Sequence, residues 1–451
     1  MIFGLLLENK FIYNMKNFLI LISTFTFSFL SNAQIQSGPM VGYSDFKEVG
    51  LWVQTQTAAK VKINYWEQGT NAPKMSTDEI LSEKAHGFAV HLVADLVQPG
   101  KKYDYEVMVN GKKIVRDYPL SFQTQALWQY RTEPPTFKFA LGSCVYINQA
   151  ETDRPGQPYG GFYDIFPSIK AQNPDFMIWG GDNLYLRETD WSTHKGIYDR
   201  YTHGRSLPEL QELLGSVHHY AIWDDHDYGT NDADRGFWNK QMTLDAFKDF
   251  WVNPNYMAQN AGTTGTFIWN DCQFFLMDNR WWKAPNENTE ANKDYYGKQQ
   301  LQWLMDNLTT SKATFKFIVT GGQVVNPAKV FENMANYEEE NQGLFKAIEN
   351  AKIPGVLFVS GDRHHTILHK KERSGTYPLY DLTVSPLTSG PSKPKDIELG
   401  SSYVEGTLLA ERNFATFEVS GILKDRVLKM NIFNTKGELK WTKEIRANEL
   451  K

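Results

Sequence analysis

Cysteine is nearly missing from this chain: 451 residues carry only Cys144 and Cys272. That excludes a disulfide-stapled scaffold and a cysteine-rich zinc module, both of which need several cysteines at close spacing. Positive charge is not concentrated either. Lys and Arg total 47 against 52 Asp and Glu, the formal net charge is −5, and no basic run occurs. A nucleic-acid partner is therefore not expected, because a phosphate backbone requires clustered Lys and Arg. Long hydrophobic runs are lacking as well. The apolar stretch Phe18–Leu30 spans only thirteen residues, against roughly 20 for a membrane-crossing helix. With no internal repeats or low-complexity tracts, and with 41% hydrophobic and 22% charged residues, the chain reads as globular. Its length allows about two or three domains with ample core.

What the N-terminus does contain is an export signal. Met15-Lys16-Asn17 precedes Phe18–Leu30, and Ser31-Asn32-Ala33 offers a small-residue cleavage site before Gln34. Residues 1–33 are therefore expected to be a signal peptide with its true start at Met15, since Glu8 and Lys10 interrupt any longer apolar segment. No Cys follows the cleavage site, so neither a lipid anchor nor a transmembrane anchor is expected. In a bacterium the mature chain would be periplasmic or secreted. Two cysteines in an exported protein default to a disulfide. Cys144, however, lies at a strand end among candidate ligands, and is read as a metal-binding thiolate. Cys272 has no polar company and is read as a bystander.

Residues 36–130 alternate in the manner of short strands: Leu51–Thr55, Lys60–Trp66, Ala89–Leu92 and Tyr103–Val109, separated by turn residues. The Pro99-Gly100 turn leading into the Tyr-rich strand Tyr103–Val109 resembles the end of a fibronectin type III-like sandwich. Arg131–Thr136, polar and proline-bearing, marks a boundary. From 137 to 445 strands alternate with helical segments at 163–171, 207–214, 244–251 and 297–308, an α/β arrangement. Three closing strands, Phe414–Val419, Val427–Phe433 and Leu439–Ile445, are expected to complete a sheet edge. Glu338-Glu339-Glu340 reads as a solvated helix face. The 14% aromatic content, with 13 Trp, fits large sheets with aromatic cores or a ligand-binding rim.

Five apolar runs each end in residues suited to binding metal. Phe137–Leu141 runs into Gly142-Ser143-Cys144, and Phe176–Trp179 into Gly180-Gly181-Asp182-Asn183-Leu184-Tyr185. Tyr220–Trp223 runs into Asp224-Asp225-His226-Asp227, Phe274–Met277 into Asp278-Asn279-Arg280, and Val356–Val359 into Ser360-Gly361-Asp362-Arg363-His364. Open α/β sheets place their chemistry beyond the carboxyl ends of strands. Asp182, after two glycines that permit a sharp turn, is placed to bridge two cations. Tyr185 offers a phenolate, which suits Fe3+, and Asn231 beside Asp232 offers a neutral amide oxygen. Three carboxylates within four positions at 224–227 repel one another unless a cation or solvent compensates. Asp362 and His364 are spaced to reach one centre, with His365 pointing away. His86, His91, His194, His203, His218, His219 and His369 lack such company and read as surface or core residues.

These motifs, in this order and behind a sandwich, resemble the PhoD-type alkaline phosphatase family over about residues 38–445. The resemblance implies a metallophosphoesterase core in which two β-sheets are sandwiched and flanked by helices. It implies a site holding Fe3+ with Ca2+, and hydrolysis of phosphomonoesters or phosphodiesters. By motif, Cys144, Asp182 and Tyr185 would hold iron, while Asp225, Asn231, Asp362 and His364 would complete the iron and calcium shells. The Gly229-Thr230-Asn231-Asp232 stretch departs from the common pattern and leaves the match of Asn231 loose. Arg363 stands where a small apolar residue is expected. It could touch a phosphate oxygen, which would make it catalytic, or pair with a nearby carboxylate. The expected nucleophile is a metal-activated hydroxide, with His226 stabilising the phosphoryl group or protonating the leaving oxygen. Asp278 and Arg280 are expected as a buried supporting pair. The phosphoester is the expected partner of a monomeric chain. A purple acid phosphatase shares the sandwich and the Gly-Asp-x-x-Tyr motif, but its Gly-Asn-His and Gly-His-x-His motifs are not found here. A non-catalytic calcium- and glycan-binding surface module is the remaining alternative. Trp191, Trp281 and Trp282 could wall the site or belong to the core.

Overall fold

The computed structural model describes residues 35–451, and the expected signal peptide at 1–33 lies outside the described residues. Apolar runs without alternation form strands buried on both faces, because helices or a second sheet cover each side. Phe176–Gly180, His218–Ile222, Cys272–Leu276, Phe315–Val319 and Val356–Ser360 are buried at every position.

These strands belong to two sheets. The first has nine strands in the spatial order Leu439–Arg446, Val427–Asn434, Asn413–Ser420, Phe137–Gly142, Phe176–Gly180, His218–Ile222, Ile35–Ser44, Val49–Thr55 and Ala89–Ala94. The second has six, in the order Gly265–Trp269, Cys272–Leu276, Phe315–Val319, Val356–Ser360, Leu379–Thr383 and Ile367–Lys371. Phe137–Gly142, Phe176–Gly180 and His218–Ile222 run parallel, as do the four strands from Cys272–Leu276 to Leu379–Thr383. Between the sheets lies a stacked aromatic core. The Phe139 ring stacks on Phe417 at 4.5 Å and meets Phe274 and Phe317 edge-on at 5.2 and 5.3 Å. Much of the aromatic content is thus core.

The N-terminal strands form the expected sandwich. Val41, Leu51 and Val53 pack against Val61, Ile63, Tyr65 and Val107 of the facing sheet. One feature was not legible in the sequence. Ile35–Ser44 pairs in parallel with His218–Ile222, with Val41 opposite His218, so one sheet runs from the sandwich into the α/β layer. The three closing strands do complete an edge, with Leu439–Arg446 outermost.

Helices fall near their expected positions, at Ile165–Ala171, Lys240–Phe250 and Lys298–Thr310. The segment expected at 207–214 is instead a 3-10 turn, Pro208–Leu210, followed by Gln211–Ser216. Pro208 has no N–H to donate and suits a first position only. The acidic run opens the helix Glu338–Asn350. Glu338 and Glu339 are exposed, but Glu340 accepts the amides of Tyr295, Tyr296 and Gly297, which corrects the expectation of a wholly solvated run. Both cysteines are buried and free, so they form no disulfide. Among the described residues no helix is long and apolar enough to cross a membrane.

Candidate metal centre

Three of the parallel strands, Phe137–Gly142, Phe176–Gly180 and Val356–Ser360, are followed within two residues by a polar side chain on left-handed backbone. Four candidate ligands adopt left-handed backbone: Cys144 (φ 61°), Asp182 (φ 51°), Asp362 (φ 63°) and His364 (φ 58°). Non-glycine residues seldom occupy this region, and such strain gathers where geometry serves function. The turn before Asp182 requires Gly181, at φ 95°, because a Cβ there would lie 2.8 Å from that of Asp224. Backbone hydrogen bonds knit the loops together. Cys144 N–H donates to Gly181 O at 3.2 Å, Val145 N–H to Asp182 O at 2.7 Å, and Ser389 N–H to Cys144 O at 3.2 Å.

The side chains converge on Asp182. Its Oδ2 lies 3.5 Å from Cys144 Sγ and accepts from Tyr185 Oη at 3.3 Å, while its Oδ1 accepts the His226 amide at 3.2 Å. Tyr185 Oη is 3.2 Å from His364 Nε2, and Ser385 Oγ donates to Cys144 Sγ at 3.1 Å. Four groups of potential ligand atoms each lie within 4.8 Å: Cys144, Asp182 and His364; Asp182, Asp225 and His226; Asp224, Asp225 and Asp362; and Asp225, Asp232 and Glu332. The first two share Asp182.

Burial dominates the electrostatics. It pushes the Cys144 thiol up to about 12, with the Asp362 charge adding to the effect. It raises the Asp182 carboxyl well above the usual carboxylate range, Asp225 and Cys144 contributing. Asp362 rises to about 6 by burial despite the neighbouring Arg363. Burial would raise Asp225 too, but His226 and Arg280 outweigh it and hold that carboxyl below the usual range. Asp225 Oδ1 and Asp224 Oδ2 are buried without a hydrogen-bond partner. A buried oxygen without a partner is costly, and where it is charged it calls for a cation, a demand that Arg280 meets in part. A thiol, a phenol, an imidazole and several carboxylates crowded this way fit a metal pair, and the centre points to metal dependence.

The predicted residues divide clearly. Cys144, Asp182, Tyr185, Asp225, Asp362, His364 and His226 meet at the centre. Asn231 is exposed and lines the adjoining cavity, whereas Asp232 joins Asp225 and Glu332 and donates its amide to Asp225 at 2.7 Å. The His226 ring lies tilted by 32° against Tyr185, centroids 4.1 Å apart, and burial lowers its pKa. The Arg363 guanidinium donates to Glu398 at 2.6 Å and lies 3.9 Å over the Phe331 ring, which is the carboxylate pairing weighed against a phosphate contact. Asp278 and Arg280 are both buried, but not as a mutual ion pair. Asp278 accepts the amides of Thr263, Arg280 and Trp281, while the guanidinium turns to Asp224 and Glu332. His365 is buried. Trp191 lines the cavity, whereas Trp281 stacks on Trp223.

Sequence reasoning missed four contributors. Asp227 ties two loops by accepting the amides of Asn183 at 2.9 Å and Asp224 at 3.0 Å; its place in the acidic cluster was the available signal. Tyr159 Oη, 3.0 Å from His364 Nδ1, and Ser385 come from loops with no motif of their own. Glu332, bound to Arg280 and to Lys283, is an isolated acid with no local signal.

Two stacked sheets with ligands gathered beyond their parallel strand ends define a metallophosphoesterase fold. The sequence profile of the PhoD-like phosphatase family matches residues 139–424, more than half of the chain, and the chain belongs to that family. A domain of unknown function, DUF7800, matches residues 32–127. Alkaline phosphatase D of Bacillus subtilis (strain 168) is 20% identical over 330 residues, covering 61% of this chain and 53% of that relative. The chain thus spans about half the length of the curated relative it matches. A solved structure of PhoD superposes with a TM-score of 0.75 at 15% identity, over 92% of this chain and 90% of that one, and so shares the fold.

Proposed function

We propose that the chain is an exported, metal-dependent phosphoesterase acting on phosphomonoesters, phosphodiesters or both, with Fe3+ and Ca2+ as its cations. The observation that carries this reading is the double use of Asp182, with Oδ2 toward Cys144 and Tyr185 and Oδ1 toward the His226 amide. Cys144, Tyr185 and His364 would join it around iron, since thiolate and phenolate favour a trivalent ion. Asp225, Asp362 and an oxygen from Asn231 or Asp232 would suit calcium, a hard cation with oxygen ligands. When bound, such a pair supplies an activated water and neutralises phosphoryl charge.

The remaining work falls to the chain. His226 faces the cavity from the ring of Tyr185, and its lowered pKa keeps the imidazole neutral near pH 7. A neutral imidazole can donate one hydrogen bond to a phosphoryl oxygen; protonating the departing alkoxide would instead require the imidazolium, which would have to take up a proton first. Asn231 presents a free amide at the same mouth. Arg280, Glu332 and Lys283 hold the Asp224–Asp225 turn from behind.

The test is turnover of p-nitrophenyl phosphate and bis-p-nitrophenyl phosphate, with and without a chelator. Activity lost on chelation and restored by metal supports the reading. Asp182→Asn should cut kcat by about a hundredfold or more through loss of metal. Chelator-resistant turnover, or a fully active Asp182→Asn, would contradict it.

A further inference from the structure

A cavity of about 710 Å³ opens beside His226, Tyr185 and Asn231. Its size lies within the range of roughly 300–1,000 Å³ usual for small-molecule sites. The metal centre explains one end of it and leaves the rest unassigned.

That remainder is walled by rings. Tyr185 at the centre is followed by Tyr146, 5.1 Å away, and then by Tyr159, edge-on to Tyr146 at 5.0 Å. Trp191 lines the same space with Pro155 and Pro158. The Tyr146 ring is fixed in place, since Arg187 lies 3.9 Å over its face and Asp153 accepts its hydroxyl at 2.9 Å. Flat, pre-positioned aromatic faces favour planar or cyclic groups and cost little side-chain entropy on binding.

The charges lining this cavity cancel. Asp153 is bound to Arg187 at 2.7 Å, and Arg154 at the rim lies 3.7 Å from Glu188. No surplus cation remains among the lining residues for a second phosphate. A polyanionic chain would therefore find no counter-charge here, whereas a neutral ring would meet both aromatic faces and hydrogen-bonding side chains.

Resting on the phosphoesterase reading, we infer that this cavity is the subsite for the alcohol portion of the substrate, and that it selects phosphoesters of neutral ring-bearing alcohols, nucleoside or aryl. Trp191 is a specificity-determining residue of that subsite.

The experiment compares the metal-replete full chain with Trp191→Ala on uridine 5′-monophosphate, p-nitrophenyl phosphate and the acyclic β-glycerol phosphate. Loss of a stacking face should raise KM for the ring-bearing esters about tenfold, leave their kcat within about twofold, and leave β-glycerol phosphate unchanged. Equal effects on all three esters, or none, would overturn the subsite. A second measurement needs no variant: free uridine or phenol should inhibit wild-type hydrolysis of β-glycerol phosphate competitively, while glycerol does not. Inhibition by one ring and not the other identifies which source the subsite serves; inhibition by neither overturns it. Absence of turnover on every ester would sink the phosphoesterase reading itself, and this inference with it.

Discussion

Replacing Arg280 with methionine isolates what compensates the acidic turn behind the metal centre. The guanidinium is fully buried. It donates to both Glu332 oxygens at 2.9 and 2.6 Å, pairs with Asp224, and approaches Asp225 Oδ1 at 3.8 Å. Methionine keeps most of the side-chain length and removes the charge. Glu332 would retain Lys283, but Asp224 would be left with only the Asn279 amide, 2.9 Å away. Stranding one buried carboxylate in this way costs about 3–5 kcal/mol. Urea unfolding at pH 7.5 measures the loss. Adding Asp224→Asn removes the stranded charge and should recover at least half of it, a non-additivity expected of residues in contact. A loss below about 1 kcal/mol, or no recovery in the double variant, would refute the view that Arg280 is the counter-charge of this turn.

Further predictions concern the individual roles. His226→Ala should lower kcat about a hundredfold with metal content unchanged; loss of metal would make His226 a ligand. Arg363→Met should cost about 3 kcal/mol of stability by stranding Glu398 while kcat stays within a few-fold. A large fall in kcat at full stability would restore the phosphate-contact role. The third prediction concerns pH. His219 accepts from Trp179 Nε1 at 2.9 Å and is held neutral by burial, its pKa falling to about 3. Its folded pKa lies below the unfolded value, so its contribution is complete above pH ~6.5 and is lost as pH falls toward about 3. Between pH 7 and 5 the unfolded chain gains a proton the native state refuses, so His219→Gln should weaken the pH dependence by about 2 kcal/mol. An unchanged dependence in urea melts would contradict the assignment.

The strand ends were legible because a buried parallel strand needs an unbroken apolar run, and a polar residue straight after it can only face the sheet's end. Cys144, Asp182 and Asp362 follow from that alone. Asn231 and Asp232 show where the rule runs out: both follow the acidic turn, and the sequence pattern does not say that Asn231 lines the cavity while Asp232, in left-handed backbone (φ 61°), donates its amide to Asp225. Local pattern gave no means of seeing Glu332, whose role depends on Arg280, distant in sequence and adjacent in space. Arg363 was readable as a departure from the family pattern, but its partner Glu398 lies in the 3-10 turn Asp396–Leu399, which carries no motif. The pairing of Val41 with His218 was hidden for the same reason, since alternation marks a strand and says nothing about its neighbour.

The central claim is that Asp182 is shared between two cations, one of them iron held by Cys144 and Tyr185. Elemental analysis of the purified full chain, beside Cys144→Ser, tests it most directly. The account predicts iron together with calcium in the wild type, and a selective loss of iron in the variant. Calcium alone in the wild type, or iron unaffected by Cys144→Ser, would contradict it.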